Sequence, residues 1–155
     1  MISPITPVAK DMPLNVERLE QSFELVKGRG DEFTAQFYAN LFSDYPLVKP
    51  LFANTHMEEQ GKKLFASLVL VVDALRQPEV LESAVKGLGT RHVKYGVLPE
   101  HYPMVGGALL KTFESVLGTD WTADEKQAWA DAYGAVSQLM LEGADYLPEV
   151  LSLSN

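Results

Sequence analysis

The sequence has no cysteine among its 155 residues. That excludes disulfide scaffolds, thiolate zinc sites, iron–sulfur clusters and cysteine nucleophiles together, and it suits a reducing cytoplasm. Positive charge is scarce: 13 lysines and arginines stand against 21 acidic residues, a net charge of −8. A surface of that sign does not grip nucleic acid or an anionic membrane. Long hydrophobic runs are missing too. The most apolar stretch, residues 64–72, includes Ser67 and is far shorter than the roughly 20 residues of a membrane helix. The first ten residues carry two prolines and no apolar core of signal-peptide length. Walker, GxGxxG, GxSxG and HExxH patterns are absent as well. The expectation is a soluble cytoplasmic protein of one domain. Its 46% apolar residues are enough to bury a core.

What is present is helical. Period-two alternation is rare and no Asn-Gly or Asp-Gly hairpin signal appears. Residues 1–14, with Pro4, Pro7 and Pro13, read as an irregular leader, 15–147 as the folded domain and 148–155 as a tail. Asn15 is positioned to cap a first helix carrying Leu19, Phe23 and Val26, closed by Gly28 and Gly30. Asp31 reads as the cap of a second, with Phe33, Phe37, Leu41 and Phe42 at helical spacing, ended by Pro46. One short turn fits between Pro46 and Pro50. Asn54 or Thr55 then caps a long helix from about 57 to 75, with Leu64, Leu68, Val71, Val72 and Leu75 on its apolar side. Pro78 opens a helix lined by Val80, Leu81, Ala84, Val85 and Leu88, its end weakened by Gly87 and Gly89. Two more helices follow, from about His101 to Leu117 and from a Thr122/Glu125 capping box to about Tyr146. Gly106-Gly107 falls inside the first of these and suits close packing. The reading is all-α, with six main helices and two or three short ones.

Three histidines bear on chemistry. His56 and His101 lie at helix starts, where exposure is expected; His92 follows Leu88 by one turn, where a neutral imidazole could face the interior. It shares the chain with two residues that an ordinary core does not favour, Tyr38 and Gln60, since a buried hydroxyl or amide needs a partner.

The segments Phe37-Tyr-Ala-Asn-Leu-Phe42, Pro50-Leu-Phe52, Gln60 with Leu64, Leu88-Gly-Thr-Arg-His92, Tyr95-Gly96-Val97, His101-Tyr-Pro-Met-Val-Gly106 and Trp129-Ala-Asp-Ala-Tyr-Gly134 occur in one order across most of residues 15–147. In that set the chain resembles the globin family, specifically bacterial single-domain globins of the flavohaemoglobin-like type. The resemblance implies a three-over-three helical sandwich around haem b. It implies His92 as the iron ligand, with Tyr38, Gln60 and Leu64 on the opposite, gas-binding side. Phe52 corresponds to the aromatic wedge on the porphyrin. Phe42, Leu68, Leu88, Val97 and Val105 complete the haem contacts, and Tyr102 corresponds to a tyrosine on the proximal side. Lys63 and Arg91 are either propionate partners or solvated surface charges. The chain departs from the family at one position. Where flavohaemoglobin-like proteins carry a last-helix glutamate that relays to the proximal histidine, an ungapped count from Trp129 reaches Ala144, and Glu142, two residues earlier, is about 200° away around the helix.

The resemblance further implies reversible binding of O₂, and of NO and CO. The alternative is NO dioxygenation, which needs a reductase. Only nine residues follow Tyr146, so that reductase is expected to be a separate protein. A haem-based gas sensor or interaction module is the further alternative.

Overall fold

The side-chain oxygen of Asn15 accepts the backbone N–H of Arg18 at 3.1 Å, so the first helix starts where its cap residue predicts. The computed structural model describes residues 14–94 and 99–144, and for 92–94 the backbone alone. Six α-helices, two 3-10 segments and no strand occupy the described residues. They are α1 (Val16–Lys27), α2 (Gly30–Asp44), α3 (Met57–Asp73), α4 (Pro78–Lys94), α5 (His101–Leu117) and α6 (Ala123–Ala144). The 3-10 segments are Pro46–Phe52 and Gly118–Asp120.

Several local expectations are corrected. Asp31 lies inside the first turn of α2, whose cap position is Arg29, and there it complements the helix dipole. His56, not Asn54 or Thr55, occupies the cap position of α3, which stops at Asp73. The corner after Pro46 is a seven-residue 3-10 helix rather than one turn. Val80 is 51% exposed, so the inner row of α4 begins at Leu81. His101 is only 8% exposed although it opens α5.

The inward rows of α1, α2, α5 and α6 build an aromatic core. Phe113 stacks on Trp129 at 4.2 Å between centroids and meets the edge of Phe33 at 4.8 Å; Phe23 stacks on Phe65 at 5.4 Å. Polar groups within this core are paired, as burial demands. The Trp129 indole N–H donates to Ser22 Oγ at 2.8 Å, and Asn40 Nδ2 donates to Thr112 Oγ1 at 3.0 Å, joining α2 to α5.

The consecutive helices α3 and α4, joined by residues 74–77, are not principal packing partners. Among the described residues α3 lies on α2 and α1, whereas α4 lies on α6. Both attachments use glycine. A Cβ on Gly61 of α3 would meet Thr34 Oγ1 of α2 at 3.0 Å. A Cβ on Gly89 of α4 would run into the Met140 carbonyl, and one on Gly143 of α6 into the Lys86 backbone. Gly89 is therefore a contact point within α4 and not a weak end, since the helix continues to Lys94. Gly106 and Gly107 serve close packing, as their position predicts: Cβ atoms there would meet the Tyr133 ring at 2.7 Å and the Tyr45 hydroxyl at 2.8 Å.

Two predictions follow from the core and its caps. Ser22→Ala leaves the Trp129 N–H buried without its acceptor and is expected to cost about 1–3 kcal/mol in urea unfolding. Glu125 accepts the Thr122 backbone N–H at 3.0 Å and also meets the Thr122 hydroxyl and the Arg18 guanidinium. The hydroxyl first and the guanidinium next hold its carboxyl at about 2, below its ordinary 4.5. A lowered carboxyl pKa stabilises the fold fully above about pH 4.5, and that contribution drains away as the pH falls toward 2. Glu125→Gln should therefore melt below the parent at neutral pH, with the gap narrowing through that window.

Candidate functional site

Tyr38 lies on the inner face of α2 and is 8% exposed. Three aromatic rings enclose it: Phe37 at 4.9 Å, Phe52 at 5.6 Å and Phe42 at 5.9 Å between centroids. Phe42 and Phe52 meet at 5.3 Å, so the 3-10 corner is pinned to α2 by the same cluster. Burial pushes the Tyr38 phenol up from its ordinary value, and a hydrogen bond with the Gln60 side chain pulls it partly back. Tyr38 is thus a neutral phenol at physiological pH, with a proton to donate. Gln60 reaches it because Gly61, its neighbour on α3, lets that helix close on Thr34 of α2.

Leu64 and Leu68 continue the Gln60 row along α3. Both are half-buried, packed on the core, as is Val105 of α5. On α4 the row Leu81, Val85, Leu88 leads at helical spacing to residue 92; Leu81 and Val85 are fully buried and Leu88 half-buried. The His92 side chain lies outside the described residues, and so does Val97. Lys63 and Arg91 are exposed on α3 and α4. Tyr102 is buried at the start of α5, and its backbone carbonyl accepts the Tyr133 hydroxyl at 2.6 Å. The structure thus brings Tyr38, Gln60, Phe42 and Phe52 together, with Leu64 and Leu68 next along α3.

Glu142 meets Lys86 Nζ of α4 at 3.7 Å and is half-exposed, while Ala144 is buried.

Sequence reasoning missed four residues that shape the site. Thr34 and Gly61 make the α2–α3 crossing. Phe37 packs edge-on against Tyr38. Tyr133 ties α6 to the first turn of α5. Their signals lie in partners distant along the chain, apart from Phe37, whose helical spacing marked it only as core. An open groove of about 630 Å³ also runs along the α2–α3 seam and reaches Tyr38 and Phe42, with Asp31, Glu58 and Lys62 among its lining. No helix among the described residues is long and apolar enough to cross a membrane.

The family model described as Globin matches residues 35–140. A globin-like protein of Aquifex aeolicus is 35% identical over 123 residues, covering 79% of this chain and 86% of that protein. A flavohemoprotein of Pseudomonas putida is 33% identical over 140 residues, covering 86% of this chain but 36% of its own length. The chain thus spans about a third of such flavohaemoproteins. The solved bacterial globin of Campylobacter jejuni superposes with a TM-score of 0.73 at 29% identity, covering 83% of this chain and 93% of that one. The chain belongs to the globin family, a haem-binding all-α fold.

Proposed function

We propose that this globin binds O₂ reversibly, and NO and CO as well, at a haem b iron held by His92. The observation that carries the reading is the buried Tyr38 phenol, set among Phe37, Phe42 and Phe52, with half-buried Gln60 of α3 lowering its raised pKa.

The residues present fit a flat apolar macrocycle. Leu64, Leu68, Leu88 and Val105 stay half-buried on inward rows, and α3 and α4 are each held by a different helix. The chain has no cysteine, so a thioether-linked haem is excluded and a non-covalent one remains. When bound, haem supplies an iron with one position open to a diatomic gas.

The side chains supply selectivity. Tyr38 donates a hydrogen bond into the gas-binding space, and Gln60 holds the phenol in place. Such a donor favours O₂, which polarises on binding, over CO, which does not. A hydrogen bond to a group that has drawn in charge contributes roughly 1.5–3 kcal/mol, about tenfold or more in dissociation rate. Leu64 and Leu68 exclude water beside the donor, and Phe52 walls the corner. Lys63 and Arg91, exposed at the rim, are placed to pair with propionates. Without a carboxylate at position 144, His92 is left to donate its second ring N–H to a weaker acceptor such as a backbone carbonyl, which suits ligand binding better than peroxidase chemistry.

Similarity to flavohaemoproteins favours a second reading, NO dioxygenation, in which NO, O₂ and one electron yield nitrate. The electron requires a reductase. Nitrate formation at many turnovers with an added flavin reductase supports it, whereas a single turnover leaves the chain as a gas carrier.

Two substitutions test the primary reading. Tyr38→Phe should speed O₂ dissociation at least tenfold in stopped flow and leave CO dissociation nearly unchanged; an unaltered O₂ rate removes the phenol from the site. His92→Ala should purify without stoichiometric haem, and a normal absorption spectrum at full occupancy rejects His92 as the ligand.

A further inference from the structure

Over its described residues α6 ends Leu141-Glu-Gly-Ala144, and Glu142 pairs with Lys86 of α4 at 3.7 Å, both side chains partly exposed. Backbone contact accompanies this ion pair. Gly89 sits against the Met140 carbonyl, and Gly143 against Lys86, so the two helices approach as closely as main chains allow at both points. Between them Thr90 Oγ1 donates to the Gly143 carbonyl at 2.8 Å. The Lys86 carbonyl one turn back, at 3.2 Å, is the longer alternative for the same proton. A hydroxyl has one proton to give, and the shorter bond is the interhelical one.

We propose that Thr90 is a positioning residue for the haem ligand. Its bond to Gly143, set in the Gly89/Gly143 notch, fixes the rotation and height of α4 and thereby the direction in which residue 92 is presented. The inference rests on His92 being the ligand. Residue 92 is two positions beyond Thr90 and three beyond Gly89 on the same helix, so a displacement at the notch passes to it without an intervening loop.

The test compares Thr90→Val, which keeps the shape and removes the donor, with Thr90→Ser, which restores it. In the hemin-loaded protein Thr90→Val should shift the iron–imidazole stretching band in resonance Raman and speed haem transfer to apomyoglobin about threefold or more. Thr90→Ser should return both to the parent values. In the haem-free protein, amide hydrogen exchange at residues 88–91 should rise in Thr90→Val alone. A band, loss rate and exchange pattern identical to the parent in Thr90→Val overturns the proposal, and so does a Thr90→Ser protein that behaves like Thr90→Val. Parent protein that takes up no hemin would reject the haem reading instead. The exchange comparison would then still decide whether Thr90 holds α4 to α6.

Discussion

The organising constraint in this molecule is that two helices joined by four residues are held apart. α3 is drawn onto α2 through the Thr34–Gly61 crossing, and α4 onto α6 through Gly89 and Gly143. Close approach at a glycine maximises dispersion contact between backbones, and a methyl group at Gly89 or Gly143 would collide with carbonyl oxygen or main chain rather than with a yielding side chain. The attachment of α4 to α6 is thus stiff. The apolar rows that α3 and α4 would otherwise bury on each other, Leu64 and Leu68 on one and Leu88 on the other, remain half-covered.

The polar pair lies on α2 and α3. An isolated tyrosine hydroxyl in an aromatic cage is expensive, because its hydrogen-bonding capacity is lost with water. Gln60 offsets part of that cost for Tyr38. A phenol has both a proton and lone pairs. It can accept from the amide and still donate to a third partner. A cage of Phe37, Phe42 and Phe52 limits where that third partner can lie.

Periodicity made the helices and most of the core legible. Leu19, Phe23, Val26, Phe33 and Phe37 are buried where helical spacing puts them, and Asn15 caps where its side chain predicts. The failures share one cause. Gly89 reads as a helix breaker, because the sequence does not display the Met140 carbonyl fifty-one positions later that makes glycine necessary there. His101 reads as exposed, because helix starts usually are, and only the tertiary cover over α5 buries it. Val80 reads as inward because a one-residue error in where a helical row begins rotates the apolar stripe by about 100°. For the site, Tyr38 and Gln60 stood out as polar residues on apolar rows, whereas Thr34, Gly61 and Tyr133 carry no local mark. A residue is legible in sequence when its neighbours along the helix explain it, and illegible when its partner lies on another element.

Position 144 follows the same reasoning. An acid at position 144 would have to be buried, and a buried carboxylate is tolerated only with partners for its charge. With Ala144 in that place, α6 carries a small side chain there and settles against α4 through Gly143 next door. The acid two residues earlier is then free to pair with Lys86 on the outer side of the same interface. Small residues at 143 and 144, glycine at 89 and a hydroxyl at 90 form one consistent solution: α4 and α6 meet through main chain and a neutral hydrogen bond, and the Glu142–Lys86 ion pair stays at the partly exposed edge of the same interface, where a charge keeps its water.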